Sequence, residues 1–189
     1  MKHQFVIGFA ALAASANVYA APENYTLDPT HTFVIYEVKH FGTSTSHGKL
    51  GKSSGTITID REAKTGKAEI NIDMNAMDTG VEKLDAHLKK ADFFNVERYP
   101  QVTFVGNQFR FDGDKVTQVS GDLTILGKTN PVTLNATNFN CYNSPAFKTQ
   151  VCGGDFETSI ERSKWNINYG VPFVADQVVL KIPVEAVKQ

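Results

Sequence analysis

The sequence has few of the residues on which metal, redox and phosphate chemistry depend. It contains two cysteines and five histidines in 189 residues, and no two histidines have the spacing of a helical zinc motif. The cysteines do not form a Cys-x-x-Cys pair, and no glycine-rich phosphate loop precedes a helix. We therefore expect no metal site and interpret the histidines as structural, although a site assembled from separate strands stays open.

Long hydrophobic runs and an excess of either charge are also missing. After residue 20, no stretch approaches the roughly 20 apolar residues that a transmembrane helix needs. The formal net charge is −1, and acidic and basic residues are interspersed. Without a basic stripe, neither nucleic-acid binding nor an electrostatic membrane contact is indicated. We therefore expect no transmembrane segment and no nucleic-acid partner.

The start of the chain has the pattern of a secretory signal peptide. A basic residue, Lys2, is followed by a short apolar run over 5–14, and residues 18–20 form a small-x-small cleavage site. Cleavage after Ala20 would leave residues 21–189, a length suited to one domain with a real core. We therefore expect an exported protein with a single domain.

The two cysteines, Cys141 and Cys152, would then lie in an oxidising compartment. Ten residues separate them, which suits two adjacent strands or the two arms of a hairpin. A disulfide that closes so short a loop adds about 2–3 kcal/mol in the chain-entropy model. The sequence therefore predicts a structural disulfide.

Most of the remaining chain alternates between apolar and polar residues, the pattern typical of strands. The alternation is clear over Thr32–His40, Lys67–Asn75 and Gln177–Val187, and turn residues separate such segments. There are eight or nine candidate strands and no βαβ rhythm. Eight strands close into a barrel just wide enough for side chains or one slender ligand. The predicted fold class is therefore all-β, an eight-stranded antiparallel β-barrel.

One segment instead predicts a short helix. Thr79 and Glu82 have the spacing of a capping box, so the helix should begin near Gly80. Leu84 and Leu88 then share one face. An apolar phenylalanine pair and a Tyr-Pro follow. We expect a short helix and an aromatic flap that cover one end of the barrel.

Four groups of residues form an ordered set of motifs along the chain. They lie at 28–40, at 88–104 and at 121–132, and the last group is Arg162 with Trp165. The group at 88–104 contains Asp-Phe-Phe and Tyr-Pro and is the most distinctive. Each motif alone is modest, but the four in order, across nearly all of the mature chain, resemble the YceI-like family of secreted polyisoprenoid-binding proteins.

The resemblance implies an extended, lipocalin-like barrel that holds one long lipid tail. Ligands of the family include polyprenyl phosphates, isoprenoid quinones and fatty-acid-like amphiphiles, and its members are often dimers. No catalytic residues are established for the family, so it implies neither an enzyme nor a required cofactor. We therefore favour a periplasmic protein that binds an isoprenoid quinone, such as ubiquinone, or a polyprenyl phosphate, for carriage or storage.

The candidate ligand-binding residues are the inward-facing positions of the strands, the flap and one aromatic wall residue. The strand positions are Val34, Tyr36, Val38, Ile57, Ile59, Ile70, Ile72, Met74, Phe104, Phe109, Leu123, Ile125 and Leu134. The flap comprises Leu88, Phe93 and Phe94, and Trp165 is the wall residue. A shift of one residue in any strand would turn its side chains to the other face.

Two other functions stay open at the level of sequence. The first is an enzyme or redox participant that acts on a lipid headgroup at the barrel mouth, with His40, His87 and Arg162 as its polar residues. No nucleophile–base pair is visible to support it. The second is a stress-related protein whose barrel is solid. An interior cavity would distinguish a binding protein from this last possibility.

Overall fold

The computed structural model describes residues 21–189, and the predicted signal peptide lies outside them. Ten strands, one α-helix and two short 3-10 turns make up this part of the chain. The strands are β1 Glu23–Leu27, β2 Ile35–His40, β3 Ser44–Lys49, β4 Lys52–Asp60, β5 Thr65–Asp73, β6 Gln101–Asp112, β7 Lys115–Ile125, β8 Lys128–Ser144, β9 Thr149–Glu161 and β10 Val174–Lys188. The helix α1 is Glu82–Leu88, and the 3-10 turns are Met74–Ala76 and Arg162–Trp165. Among residues 21–189, no helix is long and apolar enough to cross a bilayer.

Eight of the strands form a closed antiparallel barrel. They follow the order β1-β4-β5-β6-β7-β8-β9-β10, and β1 pairs again with β10 to close the ring. The other two strands extend the wall, because β2 pairs with the first part of β10 and β3 pairs with β2. The predicted eight-stranded antiparallel β-barrel with a short helix is therefore confirmed, and two further strands are added to it.

The alternation of side chains decides which face of each strand lines the interior. In β5, Ala68 and Ile72 are buried, whereas Glu69, Asn71 and Asp73 are exposed. Successive side chains of a strand point to opposite faces, so one face is apolar and the other meets water. The same rule holds around the barrel and sets its core.

β10 joins two neighbours in succession along one edge. Residues 174–181 pair with β2, and residues 186–188 pair with β1. Pro183 lies between these two regions and pairs with Asp155 on the opposite side. A proline has no N–H to donate to a ladder, so it fits where no strand pairs with it on that side. Pro183 therefore lies at a local edge within β10.

The strand β3 carries little sequence signal for a strand. Its residues, Ser44–Lys49, include no apolar side chain, so alternation gives no signal. Pairing with β2 holds it instead. A Cβ on Gly48 would lie 3.0 Å from atoms of both Thr79 and Tyr36, so a larger residue here would require these neighbours to shift. β3 is therefore the edge strand of the extended wall.

The predicted capping box is wrong, although the helix is present. α1 begins at Glu82, with Val81 at the N-cap and no side-chain cap. The hydroxyl and the backbone N–H of Thr79 instead donate to Asp85 Oδ1, at 2.6 and 2.8 Å. These hydrogen bonds hold the pKa of Asp85 below its usual value. Thr79 therefore fixes the segment before α1 by bonding to Asp85 in the first turn of the helix.

The two ends of the barrel differ in how their strands connect. At one end, here called the far end, short turns join β4 to β5, β6 to β7 and β8 to β9. At the opposite end, the mouth, lie α1, the flap at 89–99 and the loop at 166–173 between the second 3-10 turn and β10. The longer connections thus gather at the mouth.

Candidate functional site

The barrel encloses a cavity of about 330 Å³. Its wall consists of inward-facing side chains from the barrel strands and from β2, together with residues of α1, the flap and the loop at 166–173. The volume lies at the lower end of the range for small-molecule sites. The barrel is therefore not filled by its own side chains, which contradicts the solid-core alternative.

Sixteen of the seventeen candidate ligand-binding residues line this cavity. They are Val34, Tyr36, Val38, Ile57, Ile59, Ile70, Ile72, Met74, Leu88, Phe93, Phe94, Phe104, Phe109, Leu123, Ile125 and Leu134. The convergence of the positions within strands follows from the two-residue period of a strand, and the helix and flap add the others at the mouth. Many other wall residues were missed, among them Val119 and Phe156, although the same alternation in β7 and β9 contains these two.

Trp165 does not line the cavity, so the predicted aromatic wall is wrong. The 3-10 turn that follows β9 places the indole in the buried core beside a separate crevice between β8 and β9, and not on the cavity wall. The ring is 1% exposed, and its Nε1–H donates to the carbonyl oxygen of Leu123 at 3.1 Å. A buried tryptophan needs such a partner for its N–H. Its role is therefore to fix this turn against β7.

The helix and the flap cover the mouth with apolar and aromatic side chains. Leu84 and Leu88, four residues apart, both face the cavity from α1. The His87 ring lies 4.8 Å from that of Phe93 and 5.5 Å from that of Tyr169, measured between centroids. Phe93 and Tyr169 are 5.0 Å apart. The flap therefore meets the loop at 166–173 through aromatic contacts.

Arg162 is a buried cation in the wall beside this loop. It is 6% exposed, and burial lowers the pKa of its guanidinium from the usual value. The guanidinium donates hydrogen bonds of 2.8–2.9 Å to the carbonyl oxygens of Ile167, Tyr169, Val174 and Ala175. These four bonds tie both ends of the loop to one side chain. Arg162 therefore builds the mouth rather than acting as a free charge in it.

Ser53 places a polar group in the apolar wall. Its side chain faces the cavity and is 1% exposed, and its Oγ has no hydrogen-bond partner among residues 21–189. Residues 51–55, Gly-Lys-Ser-Ser-Gly, match the Gly-x-Ser-x-Gly pattern of serine hydrolases. That pattern requires a strand–turn–helix context, whereas Ser53 lies within β4 and another strand follows. The match is therefore not a nucleophile elbow.

The polar residues of the enzyme alternative all reach the cavity. His40, His87 and Arg162 line it at the mouth. The ring contacts of His40 and His87 are with aromatic side chains, however, and Arg162 is engaged with backbone carbonyls. A general base needs a nucleophile within hydrogen-bond reach. The geometry therefore favours packing roles for the three residues.

One cluster in the described part of the chain has the composition of a metal site. Asp28, His31 and Glu185 offer ligand atoms that lie within 4.8 Å of one another, outside the cavity wall. His31 Nδ1 lies 2.7 Å from Asp28 Oδ2, and the Thr30 hydroxyl donates to Asp28 Oδ1 at 2.6 Å. Hydrogen bonds within this turn account for the arrangement.

The far end of the cavity is closed by a polar cluster and the disulfide. Cys141 and Cys152 are directly paired across β8 and β9 and are bonded, so the predicted disulfide is confirmed. The Arg61 guanidinium lies 3.2 Å from each sulfur atom. The hydroxyl of Tyr25, which is 1% exposed, donates to a Glu23 carboxylate oxygen at 2.8 Å. Burial raises the pKa of Tyr25.

Comparison with known proteins places this fold and cavity in a family. The family model of the YceI-like domain matches residues 25–186. The chain is 34% identical over 184 residues to Protein YceI of Escherichia coli O157:H7, across 96% of this chain and 95% of that protein. The crystal structure of Burkholderia cenocepacia BcnA is similar at a TM-score of 0.68 with 30% identity, covering 84% of this chain and 98% of that one.

A more distant solved structure shares the fold alone. It is a polyisoprenoid binding domain from Saccharophagus degradans, with a TM-score of 0.60 and 14% identity over 87% of this chain and 98% of that one. The family match, by contrast, covers almost the whole barrel, from β1 to β10. The protein therefore belongs to the family of chains with a YceI-like domain.

Proposed function

We propose that the protein binds an isoprenoid lipid, either a quinone such as ubiquinone or a polyprenyl phosphate, in the barrel cavity. The tail would occupy the apolar interior and the headgroup would stay at the mouth. Binding would need no metal ion or other cofactor. The protein would act in the periplasm, where it carries or stores the lipid.

The observation that carries this proposal is a cavity walled almost entirely by apolar side chains. Its far end is closed by the Tyr25 cluster, and its mouth is where His40, Ser46 and His87 add polar groups to the lining. Burial of one methylene gains about 0.8 kcal/mol, although large ligands realise nearer 0.3 kcal/mol per heavy atom. A long hydrocarbon tail with one polar end matches this distribution.

The family and the covalent structure support the same proposal. The Saccharophagus degradans domain, which shares the fold, is described as polyisoprenoid binding. Export is supported by the leader pattern of residues 1–20 and by the disulfide between Cys141 and Cys152, which favours an oxidising compartment. A homodimer stays a prediction, for which the molar mass by light scattering is the measurement.

Solvent extraction followed by mass spectrometry tests the proposal. Protein purified from cells without detergent should release a stoichiometric isoprenoid lipid, and delipidated protein should take up added ubiquinone. The Ile70→Trp variant puts a bulky indole in place of an alkyl side chain in the cavity wall, so it should carry and take up much less lipid.

A matched variant controls for the added indole. Val105 lies on the outer face of the neighbouring strand β6 and is 38% exposed, so Val105→Trp should load normally. Circular dichroism should show that both variants are folded like the wild type. Protein that releases no lipid on extraction and also takes up no added ubiquinone would contradict the proposal.

A further inference from the structure

Large apolar side chains are exposed around the mouth of the cavity. Phe41 is 60% exposed and Phe173 is 65% exposed, with Tyr169 at 51% and Val171 at 37%. They come from the turn between β2 and β3 and from the loop at 166–173. These four residues are called the rim patch. They make up half of the exposed large hydrophobic residues in the described part of the chain.

The two phenylalanines of the rim patch are held in place against each other. Their rings stack with centroids 5.6 Å apart and an interplanar angle of 16°. The backbone N–H of Phe41 donates to the carbonyl oxygen of Phe173 at 2.7 Å, which joins the turn to the loop. The rings are therefore presented to the outside as one unit and are not loose side chains.

Phe41 occupies a backbone position that does not suit it. Its φ is +50° and that of Gly42 is +66°, and the N–H of Thr43 donates to the carbonyl oxygen of His40 at 3.0 Å. Two successive positive φ values are typical of a hairpin turn that favours asparagine, aspartate or glycine. A bulky ring at this position costs stability, and its exposure means that burial does not offset the cost.

The rim patch is continuous with the interior of the barrel. Tyr169 both belongs to the patch and lines the cavity. His40 lines the cavity one residue before Phe41, and their rings lie 4.8 Å apart. A lipid that leaves the cavity at the mouth therefore passes directly onto an apolar surface.

Charges next to the rim patch do not favour an electrostatic partner. Lys39 precedes the turn, and α1 carries both Glu82 and Lys83. The flap at 89–99 also carries both lysine and acidic residues, so the charge on this side of the described molecule is mixed and not purely basic, as an electrostatic contact with anionic lipids would favour. Aromatic side chains, by contrast, are favoured at the boundary between headgroups and acyl chains of a bilayer.

We propose that the rim patch docks onto a phospholipid bilayer, with Phe41 and Phe173 inserted at the headgroup level and the mouth facing the membrane. The isoprenoid lipid then moves between bilayer and cavity without crossing water. This inference rests on the proposed lipid-binding function and adds its partner, the membrane itself. Membrane docking would explain why an exposed phenylalanine occupies position 41 of a turn that suits asparagine better.

Flotation with vesicles tests the docking. The vesicles contain phosphatidylethanolamine and phosphatidylglycerol, with ubiquinone in one series. The wild type should float with them, and the bound fraction should change little between about 0.05 and 0.5 M NaCl, because the contact is apolar. The Phe41→Asn/Phe173→Ser variant should bind about tenfold less, since two exposed rings are lost.

A matched variant removes two aromatics at the far end of the barrel. Tyr142 and Phe147 are 46% and 49% exposed, in and beside the β8–β9 turn. The Tyr142→Ser/Phe147→Ser variant should float as the wild type does. Equal loss in both variants, or a wild type that does not float, would overturn the proposal. Asparagine suits the turn at residue 41, so the rim variant should keep the melting temperature of the wild type.

A second measurement separates docking from lipid binding. Uptake of ubiquinone is compared from detergent dispersion and from vesicles. The rim variant should load normally from detergent and about tenfold more slowly from vesicles. If it loads from vesicles at the wild-type rate, the docking proposal is wrong while lipid binding stands. If the wild type takes up ubiquinone from neither source, the proposed function itself fails.

Discussion

Ser53 is the residue at which the cavity wall departs from its apolar pattern. A buried hydroxyl without a partner costs the free energy of removing it from water. Its neighbours in β4 alternate outward, and Ser54 is exposed. Substituting each serine by alanine therefore removes the same hydroxyl, from a buried position at Ser53 and from an exposed one at Ser54.

The Ser53→Ala substitution should raise the free energy of unfolding of the lipid-free protein by about 1 kcal/mol, because it removes an unsatisfied buried group. Denaturation by urea measures the change. The control, Ser54→Ala, should shift the unfolding free energy by less than about 0.5 kcal/mol. A loss of stability in Ser53→Ala would show instead that the hydroxyl has a partner.

His31 and Asp28 form a pair whose protonation affects stability. The hydrogen bond from the Thr30 hydroxyl lowers the pKa of Asp28 from 3.8, and the hydrogen bond to His31 lowers it further. The same hydrogen bond to Asp28 raises the pKa of His31 from 6.5. The raised pKa of His31 means that its contribution is complete below pH 6.5 and is lost as the pH rises through the new value. The lowered pKa of Asp28 means that its contribution is complete above pH 3.8 and is lost as the pH falls through its lowered value.

Between these two limits the pair should stabilise the turn most. An NMR titration of the His31 ring tests the coupling, since Asp28→Asn should lower the pKa of His31 relative to the wild type. Substitution of a remote carboxylate, Asp114→Asn, should leave the His31 titration as it is. Identical titrations in the wild type and in Asp28→Asn would refute the coupling.

Residue positions in the wall could be predicted from the sequence because a strand has a period of two. Ile57 with Ile59 and Ile70 with Ile72 all reach the cavity for this reason. Trp165 could not be placed in this way, since it lies in a 3-10 turn whose direction depends on tertiary contacts. The hydrogen bond of its indole to Leu123 spans 42 residues of sequence and leaves no local pattern.

At the scale of elements, the loop at 166–173 is held by one side chain. Arg162 donates to carbonyl oxygens on both sides of the loop, and the loop carries Tyr169 and Phe173 of the rim patch. A lysine has the charge but not the planar fork of donors, so it can satisfy only part of this set. The order of the mouth therefore depends on the guanidinium.

The Arg162→Lys substitution should lower the free energy of unfolding by about 3 kcal/mol or more, because buried carbonyls lose their donors. Hydrogen exchange should accelerate most over residues 166–175. Lys164→Gln is the control, because its ion pair with Glu161 is exposed and should be worth less than about 1 kcal/mol. Unchanged exchange in this loop would contradict the role given to Arg162.

The sequence predicted some features of the helix and of the strands and not others. The apolar face of α1 was readable because Leu84 and Leu88 repeat at helical spacing. Its start was not, because the Thr79 bonds go to Asp85 and not to Glu82. β3 gave no strand signal of its own, since a strand without apolar residues is defined by its pairing with a neighbour.

On the scale of the whole molecule, the disulfide lies at the end opposite the mouth. It crosses the β8–β9 hairpin, whose strands already pair directly at Cys141 and Cys152. Its contribution is therefore to stability, and the mouth does not depend on it. The barrel has ample strand pairing on both sides of this hairpin.

The Cys141→Ala/Cys152→Ala variant should unfold with about 2–3 kcal/mol less free energy, by the chain-entropy argument for a short loop. Its circular dichroism spectrum and its uptake of ubiquinone should match those of the wild type. Wild-type protein reduced with a dithiol serves as the parallel sample and should show the same loss. A folded variant that no longer takes up ubiquinone would show that the far end shapes the site.

Closure of the barrel was the feature that local sequence pattern predicted least well. Alternation predicts that strands exist, but not which strands meet, and β1 pairs with β10 over only three residues, Tyr25–Leu27. The predicted number of barrel strands rested on sequence pattern and was reinforced by the family resemblance. The two added strands, β2 and β3, show that the wall can grow beyond the ring without changing its closure.

The pairing of Tyr25 with Lys188 has a consequence for the order of events during synthesis. The ring joins the beginning of the described chain to its final strand, so it cannot shut until almost the last residue is available. Contacts between such distant segments form slowly. Closure of the ring is therefore expected to come late in folding, after the neighbouring strands have paired.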